Sequence, residues 1–130
     1  MHRYFVADTH AFLWYLADDS RLSKKAGAVF ELSEQGHAVI IIPAIVLLES
    51  IDIIDKKKID LDFEKILFRI TQAGNFAISE LNTALIWEVN KIKGFKDLHD
   101  RIIVATAQTF GAALISKDKM IKKFYPEVVW

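Results

Sequence analysis

Residues 3–17 read RYFVADTHAFLWYLA, and the change of pattern inside this stretch decides the fold. Residues 3–7 are short and mostly apolar, as expected of a strand buried in a sheet. Asp8 and Thr9 break the run, and residues 11–17 continue as a helix. A buried strand that passes within a few residues into a helix opens a strand–helix–strand unit, and such units build parallel sheets. Asp8 is then the residue delivered to the carboxyl end of the first strand.

The same alternation runs outward along the chain. Residues 23–34 (SKKAGAVFELSE) open on Ser23 as a cap and carry Ala26, Val29, Phe30 and Leu32, so they read as a helix that Gly36 ends. Residues 38–42 are a β-branched run, and Pro43 suits the first turn of a helix over 44–54. After the polar break at Lys56 to Lys58, residues 62–72 place Phe63, Ile66, Leu67 and Ile70 on one side of a helix stopped at Gly74. Residues 76–78 read as a short strand, 80–91 as a helix and 98–110 as a strongly apolar helix ending at Gly111. A strand over 112–115, a short helix over 118–124 and an edge strand over 127–130 complete the chain. There are no repeats, linkers or low-complexity tracts. The expected fold is α/β, a three-layer α/β/α sandwich around a central, mostly parallel sheet of four to five strands, in a single domain spanning 1–130.

Composition agrees with a buried core and excludes several chemistries. Of 130 residues, 52% are hydrophobic and 26% charged, which suits a globular chain and not a disordered one. The absence of Cys removes disulfides, thiolate nucleophiles and zinc ribbons, and suits a reducing compartment. The four histidines, His2, His10, His37 and His99, have no paired zinc spacing. The longest apolar run, from Ala38 to Leu48, is broken by Pro43 and is shorter than the roughly 20 residues of a membrane helix. Asp8 interrupts the apolar start, unlike a signal peptide, so a soluble cytoplasmic protein is expected. Bases and acids number 17 each, for a formal charge of 0. If four acids are committed to one site, 13 remain against 17 bases, and the rest of the surface carries +4.

Four acids are candidates for that site. In parallel sheets, ligands bind beyond the carboxyl ends of the strands. Asp8 ends the first strand, Asp118 lies just past the strand 112–115, Asp100 is in the first turn of the helix that returns from that edge, and Glu49 is one to two turns into the helix after the second strand. Gathered carboxylates repel and raise one another's pKa, a cost that a divalent cation relieves. Oxygen ligands without Cys or His favour Mg²⁺ or Mn²⁺. Each acid also has a structural alternative. Asp8, Asp97 and Asp118 all fit helix caps, with Asp97 given mainly to that role. Glu49 is harder to dismiss, since Ile45, Val46 and Ile53 share its face and a buried unpaired carboxylate is costly; Asp52 is expected to face solvent. His10 and His99 are left outside the site, Thr9 and Ser116 are open between orienting a ligand and satisfying a turn, and Phe12 and Trp14 are read as core or dimer surface. Arg101, Lys117 and Lys119, with Lys91, Lys93 and Lys96, are candidates to grip phosphates.

The residues resemble a known pattern, that of the PIN-domain ribonucleases and in particular the VapC-like toxins of toxin–antitoxin pairs. YFVADTHAFLWYL followed by LSKKA is similar to the family's first motif, with Asp8 as its leading acid. PAIVLLESI places Glu49 at the second acid, and KDLHDRIIVATAQTFGAALISKDKMI places Asp100 and Asp118 at the remaining two. The closing PEVVW resembles the family's last strand. The chain departs from the subgroup at Leu98, where many relatives have Pro, and at Leu48, where many have Trp. The resemblance implies Mg²⁺- or Mn²⁺-dependent endonucleolytic cleavage of RNA, a homodimer and inhibition by a small antitoxin protein that inserts a segment near the site. On this reading Asp8, Glu49, Asp100 and Asp118 are expected to coordinate one or two Mg²⁺ ions, directly or through water, with Asp8 and Asp100 in direct ligation, Glu49 fixing or deprotonating the attacking water and Asp118 at an outer or second-metal position. The alternative is a catalytically inactive PIN scaffold that binds RNA or a protein partner. A receiver-like phosphoacceptor, which would need an acid doublet near the acceptor, finds only Asp8 without a neighbouring acid.

Overall fold

The computed structural model describes residues 3–130, so His2 lies outside the described residues. The chain forms β1 (Tyr4–Ala7), α1 (Thr9–Leu16), α2 (Lys24–Glu34), β2 (Val39–Pro43), α3 (Ala44–Asp55), α4 (Phe63–Gln72), β3 (Phe76–Ser79), α5 (Thr83–Lys91), α6 (Leu98–Phe110), β4 (Ala113–Ile115), α7 (Lys119–Phe124) and β5 (Val128–Val129). The strands make one sheet in the order β3-β2-β1-β4-β5, and every pairing is parallel. This is the α/β fold expected from the alternation, with five strands, all parallel, among the described residues.

Parallel strands covered on both faces lose the alternation of a half-exposed sheet and become continuously apolar. Val6, Ile40, Ile42, Leu114 and Ile115 are all fully buried, and Val6 stands opposite Ile41 on one side and Leu114 on the other. The edges differ. β3 exposes Ala77 and Ile78, and β5 has only two residues, so neither presents a long bare edge. Helix α6 carries a long enclosed segment, with Ile102 through Ala107 buried without interruption against α5 and the sheet.

Local chemistry accounts for the points where elements begin otherwise than expected. α1 starts at Thr9, two residues early, because the Asp8 carboxylate accepts from the Ala11 N–H at 2.9 Å and caps the helix there. α5 starts at Thr83, three residues later than expected, since Asn82 provides the cap for Leu85 at 3.0 Å. Pro43 is the last residue of β2 and the cap position of α3, with φ −61° and ψ 143°, not part of the first turn. Gly111 closes α6 at φ 59°, a left-handed conformation in which a Cβ is strained.

The sheet order places a topological switch between β1 and β4, because the chain builds outward from β1 through β2 and β3 on one side and then crosses to β4 and β5 on the other. The carboxyl ends of β1 and β4 therefore diverge into loops on opposite sides and leave a crevice between them. Asp8 follows one strand and Ser116 to Asp118 follow the other.

Candidate active site

The four acids named from the sequence line one cleft of about 390 Å³ at that crevice. Asp8 is carried there by β1, and its backbone N–H continues the ladder to the Ile115 carbonyl at 3.1 Å. Asp118 is held by a tight turn in which its N–H donates to the Ser116 hydroxyl at 3.0 Å. Its carboxylate also caps α7, accepting from Met120 at 2.8 Å and Ile121 at 3.3 Å. Asp100 occupies the first turn of α6, which Asp97 caps by accepting from the Asp100 N–H at 3.0 Å. Asp97 thus has the capping role assigned to it.

Glu49 arrives from α3, and its surroundings correct the expectation of a buried, unpaired carboxylate. Its side chain is 30% exposed and partnered on both oxygens: the Thr9 hydroxyl donates to Oε1 at 3.1 Å, and His99 Nδ1 lies 3.6 Å from Oε2. Thr9 is itself buried, so α1 supplies a fixed donor that aims a carboxylate on another helix. Asp52 is exposed and pairs with Lys56, as expected of a solvent-facing residue. His10 lines the cleft with its ring 5.4 Å from Trp14. Trp14, expected to be core or dimer surface, is buried but also forms part of the cleft wall, whereas Phe12 is fully enclosed. Nothing in residue spacing alone separates the two; only the neighbouring acid hints that one face of α1 borders a site.

The electrostatics follow from crowding. Asp100 is pushed up to about 6, first by burial and then by the carboxylates of Asp97, Asp118, Glu49 and Asp8. Burial also raises Asp8, as Asp118 does, against the lowering effects of the Ser116 hydroxyl, the Ala11 N–H and His10. The expected basic rim is only partly present. Lys117 borders the cleft, but Arg101 turns inward and donates to the Val89 carbonyl at 2.9 Å, at the end of α5, while Lys91 pairs with Glu88. Arg101 therefore ties two helices together.

The donor set suits a hard divalent cation. Every charged ligand candidate is a carboxylate, and two of them have pKa values shifted in the direction that a nearby positive charge would reverse. Among the described residues no three acidic or imidazole groups converge into a ready metal cage. Mg²⁺ is compatible with such a site, since it commonly keeps several waters and takes only one or two protein carboxylates.

Known proteins share this fold. No curated protein matches the chain. Three solved structures resemble it over nearly its whole length: the VapBC2 complex of Rickettsia felis bound to a DNA fragment from its promoter (15% identity, 96% of this chain and 95% of that one, TM-score 0.69), a toxin–antitoxin complex from Klebsiella pneumoniae (22%, 96% and 95%, TM-score 0.64), and VapC20 of Mycobacterium tuberculosis, a sarcin–ricin loop cleaving toxin (15%, 93% and 95%, TM-score 0.65). At these identities the likeness speaks for the fold. The PIN domain family model matches residues 5–125, a span that holds β1 from its second residue, β2, β3, β4 and all four acids of the cleft, and the chain accordingly belongs to the PIN-domain family.

Proposed function

We propose that the chain is a metal-dependent endoribonuclease, the toxin of a toxin–antitoxin pair, acting through Asp8, Glu49, Asp100 and Asp118. The observation that carries this reading is the convergence of four carboxylates from four separate segments on one cleft, where burial and mutual repulsion hold Asp8 and Asp100 above the usual carboxylate range. An uncompensated cluster of this kind is unfavourable for folding, which is the signature of a site kept for chemistry.

In this reading Asp8 and Asp100 hold Mg²⁺ or Mn²⁺, directly or through water, with Asp118 at an outer position. When bound, the cation lowers the pKa of a coordinated water and neutralises charge on the phosphoryl oxygens. Glu49, aimed by Thr9 and flanked by His99, orients the attacking water and takes its proton. Water adds to phosphorus and the bond to the 3′ oxygen breaks, so the products carry a 5′-phosphate and a 3′-hydroxyl. Attack by the ribose 2′-hydroxyl would instead leave a cyclic phosphate.

The toxin–antitoxin character of the structural neighbours supports an antitoxin partner. Large apolar side chains left exposed on packed helices, Leu48 on α3, Trp87 on α5 and Leu98 on α6, support a homodimer. Among the described residues no helix is long and apolar enough to cross a membrane, and the lack of Cys fits the cytoplasm.

A second reading, a PIN scaffold that binds RNA or a protein without cutting, draws on the absence of a ready three-ligand cage. Incubating the purified chain with total RNA, with Mg²⁺, Mn²⁺ or EDTA, separates the two. The nuclease reading expects metal-dependent cleavage with 5′-phosphate ends that disappears in Asp8→Asn. Metal-independent cleavage, or full activity in Asp8→Asn, refutes the assignment; no cleavage together with no uptake of Mn²⁺ in calorimetry favours the scaffold.

A further inference from the structure

The acidic cleft does not end at its own rim. His10 and Trp14 also line a smaller cavity of about 240 Å³ whose wall includes Arg21 and Lys58. Two cations from distant parts of the chain meet at the Trp14 indole: Arg21 Cζ lies 4.9 Å from the ring centroid and Lys117 Nζ 5.9 Å. Their separation is therefore no greater than the sum of those two distances, and Lys117 faces the acids while Arg21 faces the second cavity. Trp14 itself is only 8% exposed and has the Trp130 ring 5.9 Å away, so it offers no open face on which a base could stack. Its contribution is to hold charge.

Arg21 is fixed in a second way. Asp19 accepts from its Nε at 3.0 Å and from its Nη2 at 2.8 Å. A guanidinium has five N–H donors, so three remain for another acceptor. An exposed ion pair is worth little to stability, yet fixing an arginine side chain costs rotamer entropy. An arginine immobilised by a carboxylate and an indole has met that cost before any ligand arrives, which favours tight contact with a planar, multiply accepting anion such as a phosphate. The neighbouring cleft makes such a contact necessary, because its four carboxylates repel a polyanion and the chain as a whole has no net positive charge to attract one.

We propose that Arg21 and Lys117, both anchored on Trp14, form a clamp for the phosphates of single-stranded RNA beside the bond to be cut, with the strand running from the acidic cleft into the cavity walled by Arg21 and Lys58. The clamp rests on the ribonuclease reading, since it takes RNA as the polyanion that enters the cleft.

The test is binding without cleavage. A labelled single-stranded oligoribonucleotide of mixed sequence is titrated by fluorescence anisotropy in EDTA across a KCl series, for the wild-type chain, Arg21→Gln, Lys117→Gln, the double variant, and Arg3→Gln at the opposite edge of the sheet. Each lost phosphate contact reduces the slope of log affinity against log salt by about 0.7, and the double variant by about twice that; Arg3→Gln leaves it unchanged. With Mg²⁺ present, Arg21→Gln raises KM and leaves kcat within about twofold, as expected when ground-state and transition-state binding fall together. Arg21 and Lys117 are both exposed, so the variants fold, and a thermal melt verifies it. Slopes for Arg21→Gln and Lys117→Gln equal to that of Arg3→Gln overturn the clamp while metal-dependent cleavage leaves the nuclease reading standing. A wild-type chain that neither binds nor cuts RNA overturns both.

Discussion

Asp100→Asn should make the metal-free protein more stable at neutral pH and leave it unchanged in acid. The side chain is raised from 3.8 to about 6 in the folded chain, so folding favours its protonated form. A group with a raised folded pKa contributes stability that is complete below the unfolded value and is lost as pH rises through the folded one. The wild-type chain therefore loses stability between about pH 4 and pH 7 in the absence of metal. At 1.36 kcal/mol per pKa unit the whole shift would correspond to about 3 kcal/mol. Asp100 is only half-buried, and solvent screening reduces this to roughly 1.5 kcal/mol. The negative charge is also in the first turn of α6, where the helix dipole favours it by about 0.5 kcal/mol, and that benefit is lost in the variant. The net gain expected at pH 7.5 is about 1 kcal/mol, or a rise in Tm of roughly 3–5 °C for a chain of this length. Thermal unfolding followed by circular dichroism in EDTA from pH 4 to 8 measures it, with the difference between variant and wild type opening as pH rises. Added Mg²⁺ should close and then reverse the gap, since it stabilises only the chain that takes it up, by about 2.7 kcal/mol at a hundredfold excess over Kd. A difference that stays flat across pH, or a variant less stable at pH 7.5 than at pH 4 relative to wild type, refutes the claim that the acids crowd Asp100.

Thr9→Val removes the donor that aims Glu49 and should lower kcat about tenfold, equivalent to ~1.4 kcal/mol, with little change in KM; a KM effect alone would mean that Glu49 holds substrate and not water. Gly111→Ala forces a Cβ into a left-handed residue and should cost about 1 kcal/mol in urea unfolding without altering cleavage. If the chain is a homodimer through its exposed α3 surface, Leu48→Asp should halve the mass measured by light scattering; an unchanged mass moves the interface elsewhere or removes the dimer.

Strand–helix alternation was legible because burial on both faces of a parallel sheet leaves an unmistakable run such as Ile40 to Ile42, and because Ser23, Asp62 and Asp97 mark helix starts with side chains that do cap them. The missed boundaries have one cause. Asp8 and Asn82 both cap helices, but local pattern does not show where the helix after each cap takes over from the strand or loop before it, so the sequence places one helix start late and the other early. The acids were legible because the topology sends the ends of β1 and β4 and the start of α6 to the same edge. The environment of each acid was not. The Thr9 to Glu49 hydrogen bond joins residues 40 apart, and Arg101 turns toward Val89 because of how α5 packs on α6, which no local pattern encodes.

For Asp8 and Asp118 the sequence posed a choice between capping a helix and serving a site, and the geometry shows the cap in both residues without using up the carboxylate. A cap needs one carboxylate oxygen to accept from the second or third N–H of the helix, and Oδ1 fills that role in both residues. Ligation of a cation needs another lone pair, and a carboxylate has four acceptor positions. The cap fixes the side chain at the head of its helix, where the dipole favours negative charge, and so holds the carboxylate at the carboxyl edge of the sheet without help from further side chains. The same backbone contacts that favour the ionised form partly offset the burial and repulsion that oppose it. Capping is thus the means by which a small fold keeps a crowded set of acids in place, and replacing either cap by Asn, which still accepts from the helix N–H groups, tests the proposed metal role apart from the cap: the helix stays and the charge goes.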